Sequence, residues 1–508
     1  MSKTSQHKKV LLSASLAALL CSCAVGPDFT PPTAPNVTGY TPGDAAPMAD
    51  NDQDADAQRL IPGGDIPAEW WQLFHSEALN ALVEDALKSN PDLEAAQAAL
   101  RQARENTVAG EGAYYPSLDA NFNPTRQKQS NITTSNINSG AYVYNLYTAS
   151  VNVSYAPDVF GGTRRQVESL QALEDQQRFQ LEATYLTLTS NLVAAAIQEA
   201  SLRGQLAATR ETIAVETKEL DILRRQQELG EAAGVDVLAQ ESLLAQAEQT
   251  LPPLEKQLAQ QRDLLAALAG RFPSDDVTAK FELADLQLPK ELPLTLPSKL
   301  VEQRPDIRAA EEQLHAASAA IGVAIADMLP QISLTANTGS MALAMGQLFT
   351  PGNGFWTLAA GVTQPIFEGG TLLHHKRAAD AAYDEAAAQY RSTVISAFQN
   401  VADTLHALDA DAKALKAAAH AEHTASRSLD IVRKQLALGE IDRLALLTSE
   451  QSWQQAKISL VQAQANRYTD TAALFQALGG GWWNRDDVKT DNKTDADQKP
   501  ATPIVSAD

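Results

Sequence analysis

Tyr147-Thr148-Ala149-Ser150-Val151-Asn152-Val153-Ser154-Tyr155 alternates apolar and polar residues from end to end. Successive side chains of an extended strand point to opposite faces. The stretch therefore presents Tyr147, Ala149, Val151, Val153 and Tyr155 on one side and Thr148, Ser150, Asn152 and Ser154 on the other. Strict alternation over ~10 residues with aromatics near the ends is the pattern of an outer-membrane barrel strand. A half-buried sheet in a soluble domain gives the same alternation, so the surroundings must decide.

Three more stretches repeat the pattern. Leu118, Ala120 and Phe122 alternate with Ser117, Asp119, Asn121 and Asn123. Ile332, Leu334 and Ala336 alternate with Gln331, Ser333, Thr335 and Asn337; Trp356, Leu358, Ala360 and Val362 alternate with Thr357, Ala359, Gly361 and Thr363. They fall into two pairs because the chain contains itself twice. Pro91-Asp92 matches Pro305-Asp306, Leu100 matches Leu314 and Pro116 matches Pro330. Further along, Asp221-Ile222 matches Asp430-Ile431, Arg224 matches Arg433, Leu229-Gly230-Glu231 matches Leu438-Gly439-Glu440, and Glu241 matches Glu450. A period of about 210 residues is far longer than the ~20–50 of solenoid repeats, which makes this a duplicated half-domain.

Helices flank the strands. Glu77 to Asn90 places Leu79, Leu82, Val83, Ala86 and Leu87 on one face. Pro91 restarts a helix at a favourable first-turn position and Pro116 ends it. After each strand pair comes a Gly-Gly turn, Gly161-Gly162 or Gly369-Gly370. Thr163 to Leu229 then contains no proline and one glycine, Gly204, and Leu372 to Leu438 contains neither. Helices of that size are on the order of 100 Å long at ~1.5 Å per residue. Gly230 and Gly439 sit as C-terminal caps, and return helices are expected over Val235 to Gly270 and Arg443 to Leu478. Leu251-Pro252-Pro253 predicts a kink or break in the first return helix.

The chain opens with an export signal: Lys3, Lys8 and Lys9, then a short apolar run from Val10 to Leu20, too short to span a membrane. Leu20-Cys21-Ser22-Cys23 follows and resembles a bacterial lipobox, with Cys23 the acylated residue because Ser22 supplies the small residue before the cut. Ala24 after the cysteine resembles the pattern that releases a lipoprotein to the outer membrane. Once Cys21 leaves with the signal and Cys23 is acylated, no cysteine remains for a disulfide. Ala24 to Pro67 reads as a proline-rich linker with an acidic tract and little core. The expected organisation is a signal over 1–22, a lipid-anchored linker over 23–67, a first repeat over 68–290, a second over 291–483, and a disordered tail over 484–508.

A formal charge of −22 excludes a nucleic-acid partner, which requires clustered Lys and Arg. The chain has no Gly-x-Ser-x-Gly, no His-Glu-x-x-His and no phosphate loop, and so gives no reason to expect an enzyme or a cofactor other than the lipid on Cys23. His420 and His423 share a helix face, which reads as solvated surface rather than a metal site.

Four strands cannot close a membrane barrel. Single-chain bacterial barrels start at ~8 strands, and an open edge in lipid leaves unpaired backbone groups. The chain must pool strands with copies of itself, and helices of ~100 Å must project from the bilayer as a coiled-coil sheath. A barrel continued by a helical tube is a conduit.

These residues resemble a known family. The lipobox with Cys23-Ala24-Val25-Gly26-Pro27-Asp28-Phe29, the paired Pro-Asp helix starts, Gln364-Pro365-Ile366-Phe367-Glu368-Gly369-Gly370 and the two Leu-Gly-Glu tips are similar to the TolC-like outer-membrane efflux channels, in their lipoprotein, NodT-type branch. The resemblance implies a mainly α fold with membrane β: a homotrimer whose twelve-stranded barrel continues as a helical coiled-coil tunnel in the periplasm. It implies partnership with a periplasmic adaptor and an inner-membrane pump at the periplasmic end. The matching positions are the tips, Leu229, Gly230, Glu231, Leu438, Gly439 and Glu440, and a gate at Leu444. Thr448 falls where the family has a constricting aspartate, which removes a charged ring. Asp236 either supplies one or is simply a helix N-terminal carboxylate favoured by the dipole. The expected function is a passive, gated outer-membrane exit duct of a tripartite pump. The alternatives are a duct for protein secretion on the same scaffold and a periplasm-spanning structural lipoprotein without a lumen.

Overall fold

The computed structural model describes residues 24–42, 58–129 and 142–488. Cys23, the acidic tract of the linker, the loop between the first two strands and nearly all of the expected tail lie outside the described residues. The main elements are β1 (Arg59–Pro62), α1 (Glu77–Ser89), α2 (Pro91–Glu111), β2 (Ser117–Gln129), β3 (Tyr142–Tyr155), α3 (Gly162–Glu228) and α4 (Gly234–Leu268). The second half supplies β4 (Glu291–Leu294), α5 (Pro297–Gln303), α6 (Pro305–Ala326), β5 (Gln331–Ala342), β6 (Gly354–Thr363), α7 (Thr371–Ala437) and α8 (Arg443–Ala477). The duplication is exact in the helical hairpins: α3 and α7 each have 67 residues, α4 and α8 each have 35.

The chain forms two compact units. One contains the chain through Pro32, Ala99–Gln177 and Ala309–Tyr390, and holds a four-stranded antiparallel sheet in the order β2-β3-β5-β6. Leu118 lies opposite Val153, Val153 opposite Ala336, and Ala336 opposite Leu358. Opposed residues of an antiparallel pair share a face, so this register gathers the apolar residues of all four strands on one side. Asp119, Asn152, Asn337 and Thr357 line up on the other, with Asn337 donating from its amide to Asn152.

The residues after Cys23 are strapped to this unit. The Val25 N–H donates to the Phe160 carbonyl at 3.0 Å, and the buried Arg165 donates to the Val25 carbonyl at 3.1 Å and ion-pairs with Asp28 at 2.5 Å. Phe29 stacks on His315 with centroids 4.4 Å apart. Gly26, at φ +98°, lies so close to α6 that a Cβ would come within 2.4 Å of the Gly322 Cα.

The other unit comprises Thr33–Ala98, Arg178–Arg308 and Arg391 onward. Its core gathers Trp70, Trp71, Phe74, Leu79, Leu265, Leu292 and Phe475, with Trp70 stacked on Phe475 at 5.3 Å. Ser76 caps α1 by accepting the Leu79 N–H. The C-terminal segment is clamped by paired hydrogen bonds of 2.7 and 2.9 Å from Arg485 to Glu182.

Three expectations need correction. The segment up to Pro67 is not without a core: Gln58 and Ile66 are buried, the Tyr40 hydroxyl donates to the Thr295 carbonyl at 2.8 Å, and β1 pairs in parallel with β4. A four-residue edge strand carries too little alternation to be seen in sequence. Secondly, of the kink or break expected at Pro252 and Pro253, it is the break that is absent: both prolines lie inside one continuous helix. Two prolines delete two N–H donors, but both are exposed, as are Glu248 and Gln249 whose carbonyls they leave without a helical partner, so those carbonyls are open to solvent. Thirdly, the strands outrun the perfect alternation, β2 reaching Gln129 and β5 reaching Ala342.

Candidate functional site

Both long hairpins turn in the same way. The Gly230 N–H donates to the Gln227 carbonyl at 2.9 Å and the Glu231 N–H to Gln226 at 2.8 Å; at the second tip, Gly439 donates to Leu436 and Glu440 to Gln435, both at 3.0 Å. With Gly230 at φ +77° and Gly439 at φ +73°, each is a Schellman cap, which needs a residue without Cβ at that one position. The caps leave Leu229 and Leu438 largely exposed at the tips, and Glu231 and Glu440 are exposed beside them.

A matching rung ties each hairpin together behind its tip. Arg224 reaches Glu241 at 2.8 Å and its repeat partner Arg433 reaches Glu450 at 3.1 Å. The tips differ at the next step. Asp442 caps α8 by accepting the Ala445 N–H at 3.0 Å, whereas Ala233, at the start of α4, offers no side-chain cap. Arg443 bridges to the other hairpin, donating to Gln226 at 2.7 Å with Glu219 at 3.9 Å; its repeat partner is Gly234.

Beneath Arg443 lie two buried carboxyls from different hairpins. Glu216 accepts from Gln240, and Glu450 has one buried oxygen without a hydrogen-bond partner. Burial, with Glu450 and Glu219 nearby, pushes the Glu216 carboxyl up to about 7. Burial also raises Glu450, against the opposing pull of Arg433. The sequence reading missed Arg443, Glu216 and Glu450. The repeated Arg-Glu spacing was the available signal for the rungs, but no spacing shows which hairpins touch.

Leu444 and Thr448 lie together on one wall of a groove of about 770 Å³ between α7 and α8, facing His420, Thr424 and Ser428. Leu444 is 68% exposed. The Thr448 hydroxyl is used locally, donating to the Leu444 carbonyl at 2.8 Å. Asp236 stands apart from that groove, in the first turn of α4. His420 and His423 are both exposed, and no group of three metal-binding side chains occurs among the described residues.

The sheet, in the other unit, is a separate candidate surface. Most of its apolar face is uncovered, with Leu118, Phe122, Trp356, Leu358 and Val362 all exposed, and among the described residues β2 and β6 each have one unpaired edge. No described helix is long and apolar enough to cross a membrane.

A sheet that is apolar on one face and polar on the other, in a chain with paired helical hairpins of 67 and 35 residues, fits an outer-membrane channel protein. Comparison with known proteins places it more narrowly. The chain belongs to the outer membrane efflux protein family, whose model matches residues 82–271 and 296–480. It is 30% identical over 484 residues to the probable efflux pump outer membrane protein TtgC of Pseudomonas putida, covering 94% of this chain and 96% of that one. It is 32% identical over 491 residues to outer membrane protein OprJ of Pseudomonas aeruginosa, covering 93% and 96%. The solved outer-membrane channel OprN superposes with a TM-score of 0.81 at 26% identity, covering 91% of this chain and 100% of that one.

Proposed function

We propose that three copies of this chain close their sheets into a twelve-stranded barrel, continued by a helical tunnel, that serves as the passive outer-membrane exit duct of a tripartite efflux pump. The observation that carries this reading is the sheet: a largely uncovered apolar face bounded by two unpaired edges. In a bilayer those edges need partners, since an unpaired backbone group there costs several kcal/mol. Four strands fall short of the ~8 at which single-chain bacterial barrels begin. As a member of an outer-membrane efflux family, the chain conducts and does not catalyse. Relatives are described as antibiotic, toluene and pyoverdine export proteins, a spread of cargo that suits a wide duct served by a selective pump.

In this reading Leu444 narrows the periplasmic mouth, with Thr448 beside it, and Asp236 lines the approach in the other hairpin. The tips Leu229-Gly230-Glu231 and Leu438-Gly439-Glu440 meet the adaptor. Cys23 carries the lipid anchor. The two blocks matched by the family fall one in each repeat, supporting the division at about residue 290. Electron microscopy of the detergent-extracted protein tests the assembly. A three-fold cylinder with a barrel at one end is expected; monomers, or rods without a lumen, would exclude it.

A further inference from the structure

The outer end of the sheet departs from the alternation that governs the rest of it. Thr338 lies beside Val151 and Trp356, and Ser340 beside Ala149, so both hydroxyls fall on the apolar face. The connection from β5 to β6 resolves the conflict. The Ser340 hydroxyl lies within hydrogen-bond reach of the carbonyls of Leu348 and Asn353, and Ser340, Ala342 and Leu348 are all buried. The loop therefore folds across the apolar face instead of extending away from the strands.

It is also tied to itself. The Met341 N–H donates to the Asn353 carbonyl at 3.0 Å, and the Asn353 amide donates to the Gln347 carbonyl at 2.7 Å and to the Thr350 hydroxyl at 3.0 Å. Two large apolar residues of this compact loop are exposed, Met345 at 55% and Phe349 at 81%, as is Trp356 of β6 at 78%. Just beyond that level, β2 places two cations on the same face of the sheet. Pro124 opposes Tyr147, Arg126 opposes Asn145 and Lys128 opposes Val143, which fixes their face as that of Tyr147. Both are exposed.

We propose that this rim binds the phosphorylated glycolipid of the outer leaflet: Met345, Phe349 and Trp356 lie at the acyl–headgroup boundary, and Arg126 and Lys128 hold phosphate above them. The proposal rests on the barrel reading, which makes the apolar face the lipid face and puts the β5–β6 loop at the end remote from the helices. Outer-membrane barrels carry girdles of aromatic residues at the headgroup level, where an amphipathic ring such as that of Trp356 settles. A guanidinium and an ammonium group suit phosphate oxygens. The order of the two layers, apolar then cationic, is the order in which a leaflet presents its chemistry.

Nitroxide labels on Phe349→Cys and Leu358→Cys, in vesicles containing lipid A, separate this proposal from the barrel reading. Oxygen should broaden both labels more than a water-soluble nickel complex does, with the label at 349 the shallower. A lipid-buried label at 358 with a nickel-accessible label at 349, or with three labels at 349 broadening one another over the pore, overturns the loop assignment alone. A water-exposed label at 358 removes the barrel reading and this proposal with it. Native mass spectrometry tests the cations. Arg126→Gln with Lys128→Gln should retain several-fold less lipid A than the unsubstituted protein, and should match its retention of dephosphorylated lipid A. Unchanged retention of the phosphorylated form overturns the phosphate contact.

Discussion

Arg443 stands where the first repeat has Gly234, and that one difference gives the second hairpin a hold on the first through Gln226 and Glu219. Glu216 and Glu450 are buried behind it. A carboxyl raised to about 7 in the folded protein keeps a proton that the unfolded chain releases near 4.5. Its penalty is therefore absent at low pH, grows as pH rises from 4.5, and is complete above about 7. The hairpin contact should loosen between pH 5 and 8, and Glu216→Gln should remove most of that dependence; hydrogen exchange of α3 against pH would show both. A Glu216→Gln slope equal to that of the unsubstituted chain would mean Glu216 does not set it. Leu444→Ser should raise single-channel conductance by widening the mouth, and unchanged conductance would take Leu444 out of the gate. Cys23→Ala should abolish acylation, read by labelled fatty acid, while Cys21→Ala leaves it intact.

At the scale of elements, the strands and long helices were the most legible part of the chain. Alternation through Val151 and Leu334 and the proline-free runs between glycines each report one strong local rule. The same rule predicts what a charge does. Lys at Val151 or Leu334 should cost ~2–4 kcal/mol near the bilayer midplane and reduce heat-stable assembled protein in outer-membrane fractions. Lys at Asn152 or Ser333 should leave assembly near normal. Equal losses from both pairs would mean that the faces are assigned the wrong way round. What stayed illegible has a common cause. The strand β1, the Arg443 bridge and the burial of Gln58 depend on partners more than 200 residues away, and no local period encodes them. At Pro252-Pro253 the break failed to appear for the opposite reason. A strong local rule was read without knowing that this turn of the helix is exposed, where missing backbone hydrogen bonds are tolerated.

At the scale of the whole molecule, the duplication gives each chain two hairpins of equal length and unequal chemistry, and a sheet that stops short of closure. The unpaired edges of β2 and β6 also have a genetic consequence. In the proposed ring each subunit lends an edge to both neighbours, so one faulty edge spoils the assembly it enters. Prolines set into β6 in place of Leu358 and Ala360, whose backbone donors alternate with those that pair to β5 and so face the open edge, should therefore act as a poison on the intact protein expressed beside them. With equal amounts of the two chains and random mixing into threes, roughly one ring in eight would be free of the defect. A recessive phenotype from such an allele would show that defective chains are kept out of rings with intact ones; a dominant one would show that the two enter the same ring.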